Sequence, residues 1–310
     1  MSNKKKKLGI VADSTCDMDP KFLKKFDIIT VPLKVIFGED EVRHQGEDLT
    51  NEEFYERVIG GEMPSTSAPA PKAFKIAIDK QLEKYEEVLA FSIGNKLSAT
   101  FSVLSMVKKQ FYADDDRVTI IDTNTLSITM SLIILPVARM IEKGATKEEV
   151  LEFINKTVPH TQVFGGAATL KYLRKGGRLS RVNYLIGSVL SLTPLISVDE
   201  GLVVSPGKVK GLDSALERIR MVANKIAENR MSELVIVGHC ANPTKAQEVY
   251  DYFKSLPNAP KDLQLWEIGP VIGTHLGPGT VGIVWVGDID YEWFKVKRDF
   301  RFWKTDSKEG

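Results

Sequence analysis

Residues that carry metal and redox chemistry are scarce in this sequence. Two cysteines, Cys16 and Cys240, and four histidines occur in 310 residues. The cysteines lie far apart and in no CxxC spacing, so neither a disulfide framework nor a zinc site is indicated, and a reduced cytoplasmic compartment fits best. An excess of one charge is also missing. Lys and Arg number 42 against 41 Asp and Glu, and the net +1 gives bulk electrostatics no reason to expect nucleic acid as a partner. Long apolar runs are absent too. Residues 8–12 follow a basic start but are too few for a signal peptide, and residues 132–138 carry Pro136 and are closed by Arg139, far short of a membrane span. Nor does any GxxxxGK[ST], HExxH, GxSxG or EF-hand pattern occur, so recognisable nucleotide, metal and cofactor chemistry is lacking.

What is present is an ordinary globular composition, 43% hydrophobic and 27% charged, in a chain long enough for two domains. Short apolar runs alternate with helical patterns, which predicts parallel strands joined by crossover helices. Strands are expected at residues 8–12, 28–36, 88–93 and 118–121, with helices over 51–58, 72–84, 100–111 and 127–143. Residues 64–71, with three prolines around Ser65, Thr66 and Ser67, read as a loop. The pattern changes near residue 161, which divides the chain into an N-terminal α/β domain, 1–160, and a C-terminal one, 161–310. Strands at 162–165, 202–206, 234–237, 264–268 and 281–286 and helices at 213–230 and 245–254 predict a mixed sheet in the second. Loops after strand ends, such as the one from Asp13 to Asp17, are where such sheets carry ligand chemistry.

One histidine stands in an unusual frame, Ile268-Gly269-Pro270-Val271-Ile272-Gly273-Thr274-His275-Leu276-Gly277-Pro278-Gly279. Glycines permit conformations barred to other residues and prolines fix φ, so the run reads as a rigid loop that aims His275, or as a tight turn whose histidine meets a local need. The overlapping Gly277-Pro278-Gly279-Thr280-Val281-Gly282 formally matches GxGxxG. A β-branched run follows it where a dinucleotide site needs a helix, so that match is rejected.

Hydroxyl groups gather at turns and helix starts: Thr66 and Ser67 in the proline-framed loop, Ser98 and Thr100 where a strand gives way to a helix. Unpaired N–H groups and partial positive charge at helix starts suit a carboxylate or phosphate, although ordinary N-capping explains each hydroxyl taken alone. Arg178, after paired glycines, is a further candidate that alone reads as a surface ion pair.

In combination these residues resemble a known family. Asp13-Ser14-Thr15-Cys16-Asp17, Thr66-Ser67-Ala68-Pro69, Leu97-Ser98-Ala99-Thr100, Leu173-Arg174-Lys175-Gly176-Gly177-Arg178-Leu179-Ser180 and Gly273-Thr274-His275-Leu276-Gly277-Pro278-Gly279 are similar, in order, to motifs of the DegV family of bacterial fatty-acid-binding proteins. The resemblance implies two α/β domains, the first on a mainly parallel sheet flanked by helices, the second on a mixed sheet, with a ligand tunnel between them. It implies a long-chain fatty acid whose carboxylate is held by Thr66, Ser67 and Ser98, with Arg178 and His275 at the head group and facing a kinase. The implied partner is a separate fatty acid kinase that forms an acyl-phosphate for phospholipid synthesis, so the chain itself would not be an enzyme.

Three departures stand against the family pattern. Gly94-Asn95 replace an expected serine pair and Ala99 an expected glycine, so Asn95 is the residue expected to supply missing head-group hydrogen bonding. Thr129 and Ser131 stand where glycines are expected, which would narrow the tunnel. An aromatic tail with Tyr291, Trp293, Phe294, Phe300, Phe302 and Trp303 extends past the family's usual end. It is expected to pack back onto its domain, with a dimer or a transient membrane-surface contact as the sharper alternative. Two rival functions remain: a serine hydrolase using Ser98 and His275, and a binder of the same fold for a different lipid or acid.

Overall fold

The structure, a computed structural model, describes residues 6–177, 192–288, 290 and 293. The first run, β1 (Lys6–Asp13), is apolar from Leu8 to Ala12, as a strand buried on both faces must be. A single 3-10 turn follows, Ser14–Cys16, then the short helix α1 (Pro20–Lys25) and β2 (Ile29–Val31). β3 (Lys34–Phe37) and β4 (Glu41–His44) form a hairpin before α2 (Asn51–Ile59), whose Thr50 cap accepts the Glu53 N–H at 3.2 Å. β5 (Ser65–Ser67), α3 (Pro71–Lys84), β6 (Tyr85–Ser92), α4 (Thr100–Phe111), β7 (Val118–Asp122), α5 (Ile128–Glu142) and α6 (Lys147–Thr157) complete this part.

β1, β2, β6 and β7 make a parallel sheet in the order β2-β1-β6-β7. Two details depart from the sequence expectation. Residues 28–36 are two strands in different sheets, because Pro32 lies between them and can donate no ladder hydrogen bond. Residues 65–67 are not loop but β5, antiparallel to β3 with Thr66 opposite Val35. Its prolines flank the strand, where an edge position tolerates them.

The second part runs β8 (Thr161–Gly166), α7 (Lys171–Lys175), β9 (Leu192–Asp199), β10 (Leu202–Lys210), α8 (Gly211–Asn229), β11 (Leu234–His239), α9 (Pro243–Lys254), β12 (Asp262–Glu267), α10 (Pro270–Leu276) and β13 (Val281–Val286). Its sheet is mixed, ordered β10-β9-β8-β13-β11-β12 with only β11 and β12 parallel. β9 was invisible as a strand in the sequence. It pairs with β10 through Glu200-Gly201, both at positive φ as a two-residue hairpin of this hand requires.

Helix α5 joins the two sheets. Ten of its 15 residues are buried, and it packs on β1 and on β8, β11 and β13. A helix apolar on every side belongs inside, and this one sits in a core that reaches from Leu8 and Ile10 to Ile236 and Val284. α8 and α9 cover the far face of the mixed sheet, over Phe164 and Trp285, with Phe253 of α9 in the same cluster. Trp293 packs against that cluster, while the other rings of the aromatic tail lie outside the described residues. Among the described residues no helix is long and apolar enough to cross a membrane.

Candidate functional site

The glycine-framed run is not a loop. Residues 270–276 form α10, with Pro270 in its first turn and Gly277 at its C-terminal end, so the punctuation read as loop chemistry brackets a short helix. Gly273 lets α10 lie close on α2, since a Cβ there would sit 2.6 Å from the Tyr55 hydroxyl and 2.8 Å from the Phe54 ring. Gly277 ends the helix at φ 76° and donates its N–H to the Gly273 carbonyl at 2.8 Å. His275, on the last turn, is thereby fixed with Nε2 2.9 Å from Oγ1 of Thr66. The paired glycines meet it there: a Cβ on Gly176 would fall on Nδ1 of His275.

Thr66, Ser67, Ser98 and His275 share the wall of one cavity of about 300 Å³, completed by apolar side chains including Ile93, Leu126, Leu173 and Ile272. Among the described residues no carboxylate lines it. Ser98 Oγ lies 2.8 Å from Thr100 Oγ1 and accepts the Thr100 N–H at 3.2 Å, at the start of α4. Ser67 is exposed, and its hydroxyl makes only a 3.5 Å contact to the Ala68 carbonyl. Asn95 is not in this group. It lines an adjoining cavity of about 300 Å³ that shares Leu97, Ser98, Ala99 and Val203 with the first. Arg178 lies outside the described residues.

A narrow slot of about 50 Å³ adjoins the larger cavity, sharing Leu126, Val203 and Leu276 with it. Three of its four hydroxyls are spent on the protein: Ser127 donates to Asp17 at 2.6 Å, Ser197 to the Val163 carbonyl at 2.8 Å, Thr280 to the Leu276 carbonyl at 3.1 Å. With Ile128, Ile196, Ile268 and Val284 around them, the slot is apolar in effect. Thr129 lines it as expected, whereas Ser131 turns away to donate to the Cys16 carbonyl at 2.9 Å. A chamber with hydroxyls and an imidazole, set against an apolar slot, suits a ligand polar at one end only.

The Asp13 to Asp17 loop does structural work instead of lining the polar chamber. Asp13 accepts the Ile93 N–H at 2.7 Å and the Thr15 N–H at 2.9 Å. Asp17 accepts from Ser127 at 2.6 Å and from Nε2 of Gln45 at 3.0 Å, and Oε1 of Gln45 accepts the Val271 N–H at 2.7 Å. Gln45 thus holds the first turn of α10, and with it His275. Nothing in the sequence marked Gln45, a lone amide between His44 and Gly46.

Burial raises the Asp17 carboxyl from an ordinary 3.8 to about 7, against donors from Ser127, Gln45 and Gly269. A carboxyl raised in this way stabilises the fold fully below pH 3.8 and gives up that contribution as pH rises through about 7. Denaturant-measured stability should therefore fall by on the order of 4 kcal/mol across this window on account of Asp17. Buried Asp13 shifts in the same direction. In Asp17→Asn the slope should flatten; an unchanged slope would contradict the assignment.

The hydrolase reading finds no support in this geometry. Nε2 of His275 is engaged by Thr66, Ser98 is engaged by Thr100, and among the described residues that line the cavity none is a carboxylate. Both cysteines are buried thiols, and burial raises Cys240 to about 12, so neither is a ready nucleophile. Among the described residues no cluster of three or more His, Cys, Asp or Glu could hold a metal ion.

Comparison with known proteins places the chain. A family model described as an uncharacterised protein of the DegV family matches residues 7–288. A DegV domain-containing protein of Deinococcus radiodurans is 31% identical over 283 residues, 89% of this chain and 97% of that one. A fatty-acid-binding DegV family protein of Thermus thermophilus superposes with a TM-score of 0.83 at 26% identity, over 91% of this chain and all of its own. A stearic-acid-binding protein of Eubacterium ventriosum does so at 0.80 and 26%, over 93% of this chain and 99% of its own. The family match runs through both sheets and the cavity that draws on them, and the chain belongs to the DegV family.

Proposed function

We propose that this protein binds a long-chain fatty acid and presents its carboxylate to a separate fatty acid kinase, without itself being an enzyme. The observation that carries the reading is that the hydroxyl-lined chamber lies against the apolar slot, with Leu126, Val203 and Leu276 lining both. Two structural neighbours described as fatty-acid binding and stearic-acid binding, at 26% identity each, support it. In this reading Thr66, Ser67 and Ser98 donate to the carboxylate, and Asn95 reaches it from the adjoining cavity. Residues 1–160 and 161–310 act as the two units that enclose the acyl chain.

The energetics suit such a ligand. About 0.8 kcal/mol for each buried methylene gives a chain of about 15 on the order of 12 kcal/mol, before the costs of ordering and association. The carboxylate then needs donors, because an unpaired buried charge is very costly. Hydrogen bonds to a charged group contribute about 1.5 to 3 kcal/mol each, which three hydroxyls can supply. Neutral donors also leave the carboxylate oxygen without a tight ion pair, so it keeps its nucleophilicity toward a phosphoryl group. His275 and Arg178 take the kinase-facing role, and the acyl-phosphate formed would enter phospholipid synthesis. A transient membrane-surface contact through the rings of residues 291–303 belongs to the same reading.

Native mass spectrometry of protein purified from cells tests it. A bound long-chain fatty acid is expected, and Thr66→Ala or Ser98→Ala should weaken its retention, while His275→Ala should mainly impair acyl-phosphate formation with the kinase. No fatty acid in the purified protein, together with no fatty-acid binding after delipidation, would overturn the proposal. A different co-purifying lipid or acid would keep the fold and replace the ligand.

A further inference from the structure

Three glycines lie side by side across the mixed sheet. Gly165 of β8 is opposite Gly282 of β13, which is opposite Gly238 of β11. All three line the apolar slot. Directly opposed residues present their side chains on the same face, so a row of glycines leaves a furrow across the strands. With strands about 4.8 Å apart, the glycine row spans about 10 Å. The same row continues to Ile196 on β9 and to Trp266 on β12, so a large side chain bounds the furrow at each end.

The strand order gives the furrow a direction. Val203, on β10, belongs to both the polar chamber and the slot, and β10 is at the edge of the sheet next to β9. A tail that leaves the chamber past Val203 passes over Ile196 at the β9 end and lies along Gly165 and Gly282 before it meets β11. At β11 the way is blocked. The Cδ1 atom of Ile128 occupies the place where a Cβ on Gly238 would stand, with Cδ1 of Ile268 3.5 Å from the same point. Ile128 is held there because the preceding Ser127, at φ 55°, is tied to buried Asp17.

We propose that Ile128, seated over Gly238, sets the length limit of the acyl tail. This rests on the fatty-acid reading above and deepens it: the glycine row is the floor of the tail channel, and Ile128 is its end stop. Removing the stop leaves Trp266 as the next wall, one strand further on, and admits a longer acid.

The test is displacement of a fluorescent fatty acid from delipidated protein by saturated acids of increasing length. Ile128→Ala should move the optimum to acids about two methylenes longer, with a relative gain on the order of tenfold for the longer acid. Gly238→Val in the Ile128→Ala background refills the vacated space and should return the optimum to that of the wild type. Ile128→Val, a smaller change to the core, should give a partial shift in the same direction. An optimum unchanged in both single variants, or one that the double variant does not restore, would overturn the role of Ile128 while fatty-acid binding stands. A wild-type protein that binds none of the acids would overturn the fatty-acid reading and this inference with it.

Discussion

Gly277→Ala is expected to destabilise the protein by about 3 kcal/mol or more, the largest effect of any single methyl added near the site. Two causes act together. The residue sits at φ 76° and ψ 160°, a region that costs a residue with a Cβ about 1 to 3 kcal/mol. Its Cβ would also fall within the ring of Tyr172, which is only 9% exposed and packed in the core. Equilibrium denaturation checks the total, and the Gly277→Ala/Tyr172→Ala cycle separates the two causes, because truncating the ring relieves only the collision. A loss below about 1 kcal/mol in Gly277→Ala would show that neither constraint holds.

The second large effect concerns function more than stability. Gly176→Ala is expected to weaken fatty-acid retention by about tenfold, because the new methyl pushes the His275 ring onto Thr66 and displaces the hydroxyl that would hold the carboxylate. Its neighbour supplies the control. Gly177, which lines the adjoining cavity, has φ 68° with no atom of the described residues within 4 Å of a would-be Cβ, so Gly177→Ala should cost about 1 kcal/mol of stability through backbone strain and lower ligand affinity less than Gly176→Ala. Ligand displacement and denaturation on both variants distinguish them. Equal affinity losses in the two, or none in Gly176→Ala, would remove the Gly176 contact from the account.

This pair shows what the sequence could and could not tell. Gly176 and Gly177 read as one motif, yet one is needed for space and the other for conformation, and only the position of a side chain 99 or 98 residues away separates those roles. The architecture was more legible. Apolar runs such as residues 8–12 mark parallel strands because strands buried on both faces must be apolar, and the hydroxyl-bearing turns drew attention to Thr66, Ser67 and Ser98. α10 was misread because seven residues are too few to show a helical period, so its glycines and prolines dominated. α6 was overlooked although Thr146 and Glu149 form a capping box, a signal present in the sequence. The glycine row could not have been found. Gly165, Gly238 and Gly282 are scattered until the strand register brings them together.

The contact between Thr66 and His275 joins residues 209 positions apart. At roughly 5 to 20 residues per second, the ribosome delivers the second partner about 10 to 40 s after the first. Gln45, likewise, waits for Val271 across 226 positions. The head-group chamber therefore closes only after residue 275 has emerged, and a shorter nascent chain lacks the contact that joins Thr66 to His275. For a protein whose proposed cargo is an amphipathic acid, that order places completion of the head-group wall after synthesis of the sheets that surround it, up to the last strand.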